Sequence, residues 1–221
     1  RNPEKVIRKF ADKIEAFPIS EIKDADITLI AVTDDAVEDV SSMLPINGQL
    51  VVHMAGSRPM HVLSAKNRRG VLYPVQSFTE TKFVDYSQVT FCIETETAED
   101  QELLEKLVEI LGSNSVIMDS DQRLTLHLSA VLVNNFVNHL YFMASELCEK
   151  AGVSFQLLTP LIQETTQKIL TMSAEEAQTG PAIRNDRQVL SNHFSALTDP
   201  LYSQLYQLFT ESIQKKYGKK L

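Results

Sequence analysis

The sequence predicts an α/β domain with a mostly parallel sheet over residues 1–119 and an all-helical half over residues 120–221. Three observations carry this reading. Short, β-branched apolar runs alternate with helical patterns up to Asp119. After Asp119 only helical periodicity remains. A chain of 221 residues and 24.9 kDa is long enough for one large domain or two smaller ones with real cores.

The elements follow in order. Asn2-Pro3-Glu4 is a helix start, and Val6, Ile7, Phe10 and Ile14 have helical spacing, which predicts a helix over 3–15. Because the chain opens on Arg1 with a helix start, it is expected to begin partway into a domain. Residues 27–32 read as a strand that ends in Thr33-Asp34-Asp35, with a helix over 35–44 behind it. Asn47-Gly48 signals a turn. Residues 49–53 read as a strand, 59–65 as a short helix, and 71–73 as a strand stopped by Pro74. A further strand is expected over 89–93, an amphipathic helix over 97–111 and a last strand over 116–118. Beyond these, helices are predicted over 120–151, 155–172, 187–197 and 200–217, with Gly152 and Gly218 as stops. The first of these would be roughly 45 Å long.

Composition narrows the function. Charged residues at 23% and apolar residues at 43% fit a folded globular protein. With 29 acidic against 21 basic residues, the net charge of −8 argues against a nucleic-acid partner, which would need a basic surface. No uncharged apolar stretch reaches membrane-spanning length, so no membrane partner is expected. Cys92 and Cys148 fall in apolar runs and read as buried thiols of a cytoplasmic protein. No C-x-x-C, H-E-x-x-H, G-x-S-x-G or phosphate-binding glycine loop occurs, and no metal site is expected.

Ligands of open α/β sheets sit beyond the carboxyl ends of strands. Three such ends are polar here: Val32-Thr33-Asp34, His53-Met54-Ala55-Gly56-Ser57, and Tyr73-Pro74-Val75-Gln76-Ser77. Each has a plainer reading, as a helix cap, a strand-end histidine satisfied by a loop carbonyl, or an ordinary loop. Their coincidence favours a ligand site. The helix over 120–151 is apolar almost all round and should be buried. His127, Asn134 and Asn138 interrupt it within roughly 40° of one another, with Asn135 and His139 to one side. That stripe lines a substrate cleft or serves a core or subunit network. Arg184, after Gly180-Pro181, could bind a carboxylate or pair with Asp186.

The segments R-N-P-E, I-T-L-I-A-V-T-D-D, V-V-H-M-A-G-S, Y-P-V-Q-S-F, V-N-N-F and T-G-P-A-I-R-N-D, in this order, resemble one bacterial family over nearly the whole chain. It is a Rossmann-like family with a helical C-terminal domain of unknown function. Its members are labelled NADP oxidoreductases and are similar to deazaflavin-dependent NADP reductases. Pyrroline-5-carboxylate reductases and β-hydroxyacid dehydrogenases are distant cousins. The resemblance implies a Rossmann-like domain without its first strand and helix, followed by a helical domain like that of 6-phosphogluconate dehydrogenase. It implies NADP as cofactor, with NAD possible, held by Arg1, Asn2, Val32, Thr33, Asp34, His53, Met54 and Ala55. The cousins carry a catalytic lysine before their paired asparagines, and here Val131 and apolar neighbours stand there. His53 and His127 are therefore the expected acid/base groups, with Ser57 beside them. Gln76, Ser77, Asn134, Asn135 and Arg184 are the expected substrate binders. The expected reaction is hydride transfer between nicotinamide and a small carbonyl, imine or hydroxy-acid substrate, in a homodimer. The alternative is a non-catalytic nucleotide-binding or regulatory module on the same fold.

Overall fold

A computed structural model describes residue 15 and residues 17–79 and 82–218. The helix expected over 3–15 lies outside the described residues, save for Glu15. The chain divides into two compact units, residues 1–137 and 138–221.

The first unit holds a five-stranded sheet in the order β1-β2-β3-β4-β5. The strands are β1 Ile27–Ile30, β2 Leu50–His53, β3 Arg68–Pro74, β4 Thr90–Thr95 and β5 Asn114–Ile117. All neighbouring pairs are parallel except β3 with β4, which run antiparallel. The strand expected over 71–73 is longer than predicted because it begins on Arg68 and Arg69. Their charges hid them from an apolar pattern. Arg68 pairs with Asp100 at 2.7 Å, and Arg69 is clamped by Glu96.

Side chains alternate across the sheet. Leu50, Val52, Leu72, Phe91 and Ile93 form one face and pack under Leu104 and Val108 of α2 (Ala98–Ile110), after α1 (Val37–Met43). Val51 shares the other face with Ile30, Val37 and Leu44, and Val71, Tyr73 and Cys92 continue that face along β3 and β4. The period of two puts His53 and Tyr73 on this second face. The short helix expected over 59–65 is only a 3₁₀ turn, Met60–Val62, because Leu63 is already extended.

The second face is covered at its far end by α3 (Ser120–Ala130), through Leu126. Asp119 and Gln122 form a capping box that starts this helix. Arg123 is fully buried and fastens it to the sheet. Its guanidinium pairs with Glu94 of β4 and donates to the Arg58 carbonyl at 2.6 Å and to Ser120 Oγ at 3.2 Å. Ser120 in turn donates to the Glu94 carboxylate and accepts the Met60 N–H. The loop after β2 is thus held against the first turn of α3.

Helical structure continues through a π-helical stretch, Val131–Phe136, into α4 (Val137–Lys150). The π turns were not expected. Nor is this helix buried all round. Leu128, Leu132, Val133 and Phe136 are all more than half exposed. Within the first unit, α3 packs on the sheet through Leu126.

The second unit holds α5 (Thr159–Thr171), α6 (Ala174–Ala177), α7 (Arg187–Ala196) and α8 (Pro200–Tyr217) beside α4. α6 was not predicted; a Ser173/Glu176 capping box makes this single turn. The start of the helix expected at 155 is a 3₁₀ turn, Phe155–Leu158. Tyr202 of α8 donates to Glu146 of α4, and Met143, Leu190 and Tyr202 are buried. Among the described residues no helix is long and apolar enough to cross a membrane, and no cluster of His, Cys, Asp or Glu could hold a metal.

Candidate functional site

The parallel strands β1, β2 and β3 end at one edge of the sheet, as Ile30↔His53 and His53↔Val71 pairing requires. Beyond β1, Val32 is exposed and Thr33 precedes a 3₁₀ turn, Asp34–Ala36. The Asp34 carboxylate accepts the hydroxyl of Ser57. Two of the expected strand-end residues are therefore joined, linking the loops after β1 and β2. Met54 continues the pairing through its N–H to the Ile30 carbonyl at 3.3 Å, and Ala55 is buried.

His53 has no exposed surface. Its Nδ1 accepts the Ala55 N–H at 3.2 Å, while Nε2 makes no well-formed hydrogen bond. Burial, and then the charge of Arg123, lower its pKa from 6.5 to about 4, against a smaller opposing effect of the Pro59 backbone. It is a neutral imidazole at pH 7, folded into the turn that follows β2.

The third strand end meets α3. Tyr73 Oη lies 3.1 Å from His127 Nδ1, with the rings edge to face at 5.8 Å. Burial raises the Tyr73 pKa, helped by the neighbouring Cys92 and Asp34, so the phenol stays protonated. Beside the pair lies a cavity of about 360 Å³. Gln76, Ser77, Asn134 and Asn135 line it together with Tyr73 and His127. Gln76 Oε1 accepts the Ser77 N–H at 2.8 Å. Val131 also lines the cavity, so an apolar side chain stands there. The asparagines fall within the π-helical turns, which change the phase of the helix and bring both Asn134 and Asn135 to the cavity.

The structure thus gathers five of the expected residues around one cavity: His127, Gln76, Ser77, Asn134 and Asn135. His53 and the Ser57–Asp34 pair belong to the adjoining strand ends. Arg184 is exposed in the second unit, in the turn before α7. Asp186 does not pair with it and instead caps α7 by accepting the Val189 N–H. Arg1 and Asn2 lie outside the described residues.

Sequence reasoning placed Tyr73 at a polar strand end without giving it a role, and missed Arg123 and the part played by Gly56. A Cβ on Gly56 would fall 2.7 Å from His127 Nδ1 and 2.8 Å from two atoms of the Tyr73 ring. The only local signals were a hydroxyl closing an apolar strand and a basic residue one turn before His127.

Comparison with known proteins bears on this arrangement. A family model described as a domain of unknown function (DUF2520) matches residues 89–213. None of the curated proteins matches the chain. Among solved structures, a Bacteroides fragilis protein described as a "putative NADP oxidoreductase" is 35% identical, with a TM-score of 0.85. That match covers 96% of this chain and 85% of the other. An imine reductase from Pseudomonas sp. is 16% identical, with a TM-score of 0.67 over 98% of this chain and 84% of its own. A reductive aminase from Aspergillus terreus, solved with NADPH and ethyl levulinate, is 15% identical, with a TM-score of 0.63 over 88% and 75%. These last two likenesses establish the fold: a Rossmann-like α/β domain followed by an all-helical one. The family model spans more than half of the sequence, and the chain belongs to the DUF2520 family.

Proposed function

We propose that this chain is an NADP-dependent oxidoreductase, with NAD as the alternative cofactor, that transfers a hydride between nicotinamide and a small carbonyl, imine or hydroxy-acid substrate. The observation that carries this reading is the cavity where His127, Tyr73, Gln76, Asn134 and Asn135 meet beyond the carboxyl ends of parallel strands. The relatives named for NADP oxidoreduction and imine reduction support it.

The strand ends fit a dinucleotide. Val32 and Thr33 are exposed and Met54 is half-buried, so the ends of β1 and β2 offer surface to a flat ligand. Val32, Thr33, Asp34, Met54 and Ala55 would hold it; Arg1 and Asn2 are assigned by resemblance alone. When bound, the nicotinamide supplies the hydride chemistry. His127 serves as the acid/base group toward the substrate heteroatom, while Asn134, Asn135 and Gln76 orient the substrate by hydrogen bonds. His53 shapes the turn carrying Gly56 and Ser57, and Asp34 fixes the Ser57 hydroxyl. The rival reading, a nucleotide-binding module without turnover, is favoured by Val131 lining the cavity where the cousins carry their lysine.

Leu124, Leu128, Leu132 and Phe136 leave an apolar stripe exposed on one chain, which supports a homodimer. Two free cysteines, one of them buried, suit a reducing cytoplasm.

The test is a thermal-shift titration with NADPH, NADH and reduced deazaflavin. A ligand at a hundredfold excess over its Kd should add about 2.7 kcal/mol of stability. A clear shift with NADPH is expected; no shift with any of the three would sink the oxidoreductase reading.

A further inference from the structure

We infer that Tyr73 is a positioning residue that fixes His127 in the tautomer carrying its hydrogen on Nε2, and that Gly56 is the clearance that lets the two rings meet. The pair itself follows from geometry. The use of the Nε2 hydrogen rests on the oxidoreductase reading above.

Tyr73 closes β3 on the face covered by α3, and its hydroxyl reaches His127 Nδ1 at 3.1 Å. Among the described residues the Tyr73 hydroxyl has no other acceptor for its hydrogen, so we assign the phenol as donor and Nδ1 as acceptor. A neutral imidazole has one N–H, which must then sit on Nε2. Among the described residues Nε2 of His127 makes no hydrogen bond, which leaves it for a ligand in the cavity that both rings line. There it donates to a carbonyl oxygen or imine nitrogen, polarising the double bond.

Gly56 is needed for its size. Its φ lies outside the left-handed region, so its backbone does not demand glycine. A Cβ would instead stand 2.7 Å from Nδ1 and 2.8 Å from Tyr73 Cε2 and Cζ, wedged into the hydrogen bond. Neither ring can simply swing aside. Tyr73 is buried in the sheet, and His127 is one turn from Arg123, which is bonded to both Glu94 and the Arg58 carbonyl. The backbone of Arg58 belongs to the loop that carries Gly56. The same network therefore holds the spacer and the ring it accommodates.

The experiment compares the wild type with Tyr73→Phe and Gly56→Ala by long-range ¹H–¹⁵N NMR of labelled histidines, with His127→Gln to assign the signal. NADPH binding and the reduction of 2-methyl-1-pyrroline and ethyl levulinate are measured on the same proteins. The wild type should show His127 as the Nε2–H form. Both variants should show mixed tautomers and lose roughly ten- to a hundredfold in kcat, the range seen when a metal-site histidine loses its orienting partner; Tyr73→Phe should also bind NADPH within about twofold of the wild type. An Nδ1–H form in the wild type, or an unchanged tautomer ratio in Tyr73→Phe, overturns the inference. So does a lost tautomer preference with unchanged kcat. A wild type that fails to bind NADPH, or to reduce either probe, sinks the oxidoreductase reading and the catalytic use of the pair with it, whatever the NMR shows of the tautomer.

Discussion

A neutral histidine buried at the end of β2 makes the fold sensitive to acid. His53 has a pKa of about 4 in the folded protein against 6.5 when free. Between those values the unfolded chain takes up a proton that the folded one refuses, so stability rises with pH across that window. The contribution is complete above about pH 6.5, shrinks as the pH falls, and levels off below about pH 4; the whole span is about 3 kcal/mol. Urea unfolding of the wild type and His53→Gln from pH 7.5 to 4 should show a shallower acid loss in the variant. Parallel curves would show that His53 is not the group responsible. Arg123 is the second single residue with a large expected effect. Arg123→Met leaves the Glu94 carboxylate and the Arg58 carbonyl without their buried partner, and should cost about 3 kcal/mol. Arg123→Lys should recover little of it, because an ammonium cannot reproduce the planar fork that serves Glu94 and Arg58 together. Both are read from unfolding midpoints.

At the scale of the element, α3 and the π turns after it decide which side chains face the cavity. The capping box at Asp119 and Gln122 is local, and Asp119→Ala should cost about 1 kcal/mol without disturbing the cavity. The π-helical stretch has the opposite character. Deleting Val133 should let Val131–Phe136 revert toward an ordinary α-helix with little loss of helical circular dichroism. Asn134 and Asn135 would then turn away from Gln76 and His127. Substrate affinity should fall while NADPH binding, assigned to the ends of β1 and β2, persists. An unchanged KM would separate these asparagines from substrate recognition. Helices with strong end signals were legible in sequence, as at Pro200 and Tyr217. The π turns were not, since an apolar run reads alike in either helical geometry.

For the whole molecule, the exposed apolar stripe is the dominant feature. Leu128 is 59% exposed, Leu132 51% and Phe136 52%, in a chain whose net charge of −8 otherwise favours solubility. Light scattering on size-exclusion chromatography should give a dimer mass. The double variant Leu128→Glu, Leu132→Glu should give a monomer that keeps its circular dichroism. A wild-type monomer at micromolar concentration would rule out this stripe as a subunit interface.

The sequence by itself determined the order of the five strands and of the longer helices that follow them, the change to all-helical structure after Asp119, and which polar residues close the strands. These are local properties: a period of two or 3.6, a turn residue, a cap. Alternation also assigns His53 and Tyr73 to one face of the sheet once their strands pair in register. The tertiary structure alone decided that β4 runs antiparallel to β3, since an apolar run has the same pattern in either direction. It alone decided that Tyr73 meets His127, 54 residues along the chain, that Arg123 reaches Glu94, and that Gly56 leaves room for the two rings. Such contacts depend on strand register, helix phase and the space between elements, and those are set by packing of the whole unit rather than by any stretch of sequence.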